Sequence, residues 1–166
     1  MPIIANLIVG MNGGTTIDGR SAPLSSAQDR TRFHQLRERA DLILIGGESS
    51  RTEPYAKTPV PLVVISRRSD LSGTAALNPK ALLSNADLAS TLVAYQPEYS
   101  TILIEAGARL LEEGIRARLI DELFITQVSK SGEAPYFTIN PLDHGLELRE
   151  RLDVPTEAFL HYARLP

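Results

Sequence analysis

Four stretches of the chain bring together residue types that chemistry on a nucleotide or a ring would use. The first is Thr15-Thr16-Ile17-Asp18-Gly19-Arg20. Asp18 could accept hydrogen bonds from a ring N–H or from sugar hydroxyls, with Gly19 allowing a tight turn beside it. The same pair also makes an ordinary Asp-Gly turn closed by a local hydrogen bond. The second is Ile43-Leu44-Ile45-Gly46-Gly47-Glu48-Ser49-Ser50-Arg51-Thr52. Glycines after an apolar run let a ligand approach backbone N–H groups, and hydroxyls at a helix start suit phosphate oxygens. The spacing is neither that of a G-x-G-x-x-G fingerprint nor that of a P-loop.

The third stretch, Ile102-Leu103-Ile104-Glu105-Ala106-Gly107-Ala108-Arg109-Leu110-Leu111, runs from apolar residues through small ones into a helical pattern. Small side chains at a helix amino terminus expose free N–H groups that an anion can use. They equally allow close packing of strand on helix, with Glu105 solvated. The fourth, Leu62-Val63-Val64-Ile65-Ser66-Arg67-Arg68-Ser69, places a hydroxyl and two arginines after an apolar run. That combination suits the adenosine 2′-phosphate of NADP, or else forms a solvated basic turn.

Other chemistries find no residues. There is no cysteine, hence no thiolate, disulfide or Cys-ligated metal. His34, His144 and His161 share no metal-ligand spacing, and His34 and His161 read as structural. No Gly-x-Ser-x-Gly elbow occurs. A net charge of −3 argues against a general phosphate-backbone binder, and the aromatic residues read as core or rim, so no nucleic-acid partner is expected. No apolar run approaches the ~18 residues of a membrane span. The opening Met1-Pro2-Ile3-Ile4-Ala5-Asn6 lacks the basic region of a secretory leader, and we expect a cytoplasmic protein.

The elements that must position these stretches are legible. With 43% hydrophobic residues over 166 positions, the chain can bury one sizeable core, and we expect a single domain over 1–166. Residues 3–9, 42–45, 62–65 and 102–104 are continuous apolar runs, which predicts strands covered on both faces of a parallel sheet. Helices are predicted over 26–39 from a Ser cap, over 107–119, and over 84–95. Residues 123–128 form a further strand. Residues 146–152 and 158–165 read as an antiparallel pair turning at Pro155 and Thr156. Ligands of such a sheet bind outside the carboxyl ends of its strands, where all four stretches fall.

In this order the pieces resemble the reductase domain of riboflavin biosynthesis, the 5-amino-6-(5-phosphoribosylamino)uracil reductases of the dihydrofolate-reductase-like superfamily. The Thr/Ser-x-Asp-Gly-Arg/Lys loop is matched by Thr16 to Arg20, and the helix ending in Leu-Arg and Ala-Asp by Leu36-Arg37 and Ala40-Asp41. The glycine–hydroxyl loop is matched by Gly46-Gly47-Glu48-Ser49, with Glu53 near an expected aspartate. The Glu-Gly-Gly loop is matched by Glu105-Ala106-Gly107, followed by Leu110-Leu111 and 119–123. Ala106 for a glycine and Glu48 for a small residue depart from the pattern. The resemblance covers residues 3 to 130.

What it implies is an α/β three-layer sandwich, with a mostly parallel mixed sheet and an antiparallel C-terminal hairpin. It also implies an NADPH-dependent reductase of a (phospho)ribosylated aminopyrimidine, acting as a homodimer without a metal. The alternatives are a reductase of another pterin-like heterocycle, or a non-catalytic NADP-binding protein. Asp18 and Glu105 become the catalytic residues, and Thr16, Asp18, Arg20 and Arg32 the substrate-binding ones. Cofactor binding falls to Gly46, Gly47, Ser49, Glu53, Ser66 and Arg67, and to Ala106, Gly107, Ala108, Arg109 and Leu110.

Overall fold

Continuous hydrophobicity forces burial on both faces, and the five apolar runs do occupy the middle of one sheet. The computed structural model describes residues 1–166. In chain order the first elements are β1 (Ile3–Val9), β2 (Gly14–Thr16), α1 (Ala27–Arg39), β3 (Leu42–Gly46), α2 (Gly47–Thr52), β4 (Leu62–Ile65) and β5 (Ala81–Ser84). There follow α3 (Leu88–Tyr95), β6 (Ile102–Ile104), α4 (Ala108–Arg116), β7 (Glu122–Val128), β8 (Glu133–Tyr136), β9 (Leu146–Val154) and β10 (Glu157–Arg164).

The eight-stranded sheet has the order β5-β4-β3-β6-β1-β7-β10-β9. Its first six strands are parallel, and the β9–β10 hairpin closes the edge antiparallel. On one face Leu36 and Ala40, around the end of α1, pack against Ile4, Ile43, Ile45 and Phe124. On the other, Leu88 and Leu92 of α3 and Leu111 and Ile115 of α4 pack against Ile3, Ala5 and Leu7. These are the three layers expected. Each fully buried Leu or Ile contributes roughly 1.5–3 kcal/mol relative to an exposed one. No helix is long and apolar enough to cross a membrane.

Helix ends follow side-chain chemistry. Ser26 caps α1 by accepting from Asp29 N, and Asp87 caps α3 by accepting from Ser90 N. The helix predicted over 107–119 stops at Arg116, because Arg118 turns left-handed at φ 57°. The segment 84–95 divides, Ser84 ending β5 and Leu88 starting α3. The two-stranded sheet β2–β8 was not anticipated. It is fastened by Thr15 Oγ1 donating to the Pro135 carbonyl (2.6 Å) and Thr16 Oγ1 to the Ala134 carbonyl (2.8 Å).

Candidate functional site

The strand ends at β1, β3, β4 and β6 open into one cleft of about 880 Å³, with α1 and the β2–β8 loops as its side walls. That volume is within the usual range for a cofactor or small-molecule site. The helical period decides which of α1's residues enter it. Asp29, Phe33 and Arg37, four apart, line the cleft together with Arg30 and His34.

At the end of β6 the cleft floor is held by charge. Arg37 grips Glu105 bidentately, Nε to Oε1 and Nη2 to Oε2, both at 2.7 Å. The Tyr55 hydroxyl donates to Glu105 Oε2 at 2.8 Å. Side-chain exposure is 13% for Arg37 and 3% for Glu105, so solvent screens the pair little. Burial, and then the facing Glu105 carboxylate, push the Tyr55 hydroxyl well above the ordinary tyrosine range, which keeps it a proton donor. Burial alone would lower the Arg37 guanidinium, but its hydrogen bond and attraction to Glu105 outweigh that and raise it. The guanidinium also lies 4.3 Å over the Phe33 ring.

Immediately after Glu105 the chain passes through Ala106 to Gly107, the N-cap of α4, where no side chain caps the helix and no acidic residue occupies the first turn. A Cβ at Gly107 would meet nothing within 4 Å. The first helical bond runs from Leu111 N to the Gly107 carbonyl, so the N–H groups of Ala108, Arg109 and Leu110, which line the cleft, have no partner within the helix. At the end of β3, Gly46 caps the six-residue α2 with no side-chain bond. A Cβ on the next residue, Gly47, would lie 2.9 Å from Ser66 Oγ. Ser66 and Arg67 follow β4 at the same rim. Asn85 Nδ2 ties their loop down by donating to the Ser66 and Arg68 carbonyls.

The comparisons with known proteins agree with this architecture. The sequence pattern of the RibD C-terminal domain matches residues 2–131. The chain belongs to that family. Among solved structures, a pyrimidine reductase-like protein from Corynebacterium diphtheriae is 18% identical, with a TM-score of 0.75, covering 99% of this chain and 92% of that one. RibD from Acinetobacter baumannii is 14% identical with a TM-score of 0.73, and this chain spans 58% of its length. The deaminase/5-amino-6-(5-phosphoribosylamino)uracil reductase from Thermotoga maritima is 12% identical with a TM-score of 0.71, and this chain spans 56% of it. No curated protein matches the sequence. The fold is thus dihydrofolate-reductase-like, as the motifs implied.

Within this RibD C-terminal domain, Thr16, Glu105, Gly46, Gly47, Ser49, Glu53, Ser66 and Arg67 line the cleft, as do residues 106–110. Three expected substrate-binding residues do not. Arg32 points the other way, because it lies one residue before Phe33 on the helix and so about 100° round it. Its guanidinium donates to the Ile125 and Leu160 carbonyls and lies over Phe124 and Phe159. Asp18 and Arg20 are exposed and outside the lining. Asp18 (φ 51°) and Gly19 (φ 76°) are the central residues of a tight hairpin turn between Ile17 and Arg20, and Gly19 of that turn does line the cleft.

Two cleft residues are already engaged. Glu105 is buried rather than solvated, with both oxygens committed, and Glu53 Oε1 accepts from Ser21 N at 2.7 Å, fastening the loop after β2. His34, read from the sequence as structural, stands in the wall. His161 is structural, stacked 4.3 Å from Phe124. Sequence reasoning missed Arg30, Tyr55 and Asn6. Asn6 alone left a signal, as the one polar residue in the apolar run of β1.

Proposed function

We propose that this domain is a nicotinamide-dependent reductase of a (phospho)ribosylated aminopyrimidine in the riboflavin pathway, with NADPH as its cofactor. One observation carries the reading: a buried strand ends in an uncapped helix amino terminus, unobstructed at Gly107, inside the cleft of a RibD C-terminal domain. The residues present fit such a cofactor. The N–H groups of 108–110 would hold the pyrophosphate. Ser66 Oγ accepts from Arg68 N, which leaves its own proton free to donate to a 2′-phosphate beside the exposed Arg67.

Bound there, the cofactor supplies the hydride. The protein supplies position and dryness. Leu7 and Ile8 of β1 and Phe33 of α1 give the cleft apolar surface that excludes water from facing rings. Glu105 acts through its partners in this reading, fixing Arg37 in the wall and the 106–107 backbone in register with α4. Residues 1–166 work as one domain. For the homodimer of the same reading, β9 offers an open sheet edge with Leu148 and Leu152 exposed.

The test is NADPH oxidation, followed by absorbance, with the ribosylated aminopyrimidine as substrate. Turnover is expected, with NADPH preferred to NADH by about tenfold or more, the worth of one charge-assisted phosphate contact. Arg67→Ala should erase most of that preference and spare NADH. Equal use of both cofactors at low salt would remove Arg67 from the site, and no turnover would end the reductase reading.

A further inference from the structure

Tyr55 carries the hydroxyl that holds Glu105, yet it lies in a loop, with neither strand nor helix between Thr52 and Leu62 to fix it. Its backbone is held instead from one turn further along the chain, Gly73–Leu77 with its cap Asn78. Thr74 Oγ1 accepts from Tyr55 N at 2.9 Å, and Asn78 Nδ2 donates to the Tyr55 carbonyl at 3.1 Å. Both backbone polar groups of Tyr55 are thus taken by side chains four positions apart. Neither of those side chains lines the cleft.

The turn is itself tightly seated. Thr74 Oγ1 donates onward to the Glu53 carbonyl at 2.5 Å. Asn78 is buried with its whole amide in use: Nδ2 also donates to Thr58 Oγ1 at 2.9 Å, and Oδ1 accepts from Lys80 N at 2.9 Å. Gly73, at φ 65°, sits so close to α2 that a Cβ there would collide with the Ser50 carbonyl. A satisfied buried network of this kind gives a loop one position, and removing a member leaves the others unpaired. We propose that Thr74 and Asn78 are positioning residues of the reductase site. Through the Tyr55 backbone they set where its hydroxyl meets Glu105, and so where Arg37 stands in the cleft wall. The proposal rests on the reductase reading for its kinetics and on the Tyr55–Glu105 contact alone for its placement.

Two measurements test it. Asn78→Leu removes both donations at once, and Thr74→Val, at a half-buried position, is the milder change that keeps the fold. The first measurement is ultraviolet titration of the five tyrosines. In the wild type, burial and the Glu105 carboxylate hold the Tyr55 hydroxyl well above 10.0, so it should ionise last. Thr74→Val should bring that last ionisation down toward the others, and Thr74→Ser, which keeps the hydroxyl, should restore it. The second is kcat/KM with NADPH and the ribosylated aminopyrimidine. Thr74→Val should lower it by roughly 10- to 100-fold, the cost of a displaced wall residue, and leave NADPH affinity unchanged. In a Tyr55→Phe background the same change should have no further effect, because the turn acts through that hydroxyl. An unchanged tyrosine ionisation in Thr74→Val would overturn the proposal. So would losses that simply add in the double variant, or an equal loss of NADPH affinity. A wild-type protein that oxidises no NADPH on the ribosylated compound would defeat the reductase reading, and the tyrosine titration would still decide this one.

Discussion

The junctions after β3 and β6 look alike as sequence and differ as structure. Each is a buried strand, a short run of small residues and a helix. At Gly47 the missing side chain is filled by the protein itself, with Ser66 Oγ 2.9 Å and Ser66 Cβ 3.1 Å from where a Cβ would be. At Gly107 the space is empty to 4 Å and belongs to the cleft. Behind Gly107 stands a buried ion pair, and no charged pair stands behind Gly47. Both glycines line the cleft, but one lets Ser66 approach closely and the other leaves open space. The lesson is that a small-residue turn reveals its purpose only through what lies opposite the absent Cβ.

The largest effect should come from the anchor of the β6 junction. Arg37→Met leaves Glu105 buried without its partner, a loss of about 3–5 kcal/mol. For a chain of this length that is roughly 6–20 °C in Tm by thermal denaturation. A loss below about 1 kcal/mol would mean solvent screens the pair after all, and the two junctions would differ less than argued. Next is access itself. Gly107→Val should cost NADPH roughly 10- to 150-fold in affinity through lost phosphate contacts, by fluorescence titration. Its own stability should fall by no more than about 1 kcal/mol, the price of a poorer cap. Unchanged affinity would remove Gly107 from the cofactor site.

Gly47→Ala is the converse. Stability should fall by about 1 kcal/mol, at the low end of overpacking, as the loop at Ser66 gives way. A neutral result by urea denaturation would show that the loop yields freely. The smallest effect is on a pH slope. In the fold the Tyr55 hydroxyl holds its proton more tightly than in the unfolded chain, where tyrosine titrates near 10.0. Its contribution is complete below that pH and declines above it, so wild-type stability should fall more steeply above pH ~10 than that of Tyr55→Phe. Parallel slopes would remove Tyr55 from the anchor.

What could be read in the sequence was what lies close along the chain. The runs 3–9, 62–65 and 102–104 are strands with those same bounds, because continuous Ile, Leu and Val can only be buried on both faces. Ser26 and the turn at 155–156 were equally local. The short strands β2 and β8 were not, since Gly14-Thr15-Thr16 and Glu133-Ala134-Pro135-Tyr136 have no apolar run to mark them. Arg32 and Arg37 show the limit for the site. Both sit on one helix, and only its rotational phase against the sheet sends one to the cleft and the other to Phe124 and Phe159. Tyr55 reaches Glu105 from 50 positions away, across a loop whose course no periodicity reveals.

The place of β1 in the strand order bears on how the protein is made. It pairs with Ile102–Ile104 on one side and with 122–127 on the other, so both neighbours are synthesised long after it. At about 5–20 residues per second, roughly 5–20 s pass on the ribosome between β1 and β6. For that interval a strand meant for the centre of a sheet has no edge to join, and an apolar segment left waiting can join another nascent chain instead. Asn6 divides the segment into two runs of three, Ile3 to Ala5 and Leu7 to Val9. The polar side chain that lines the finished cleft therefore also shortens the apolar run that the unfinished chain exposes.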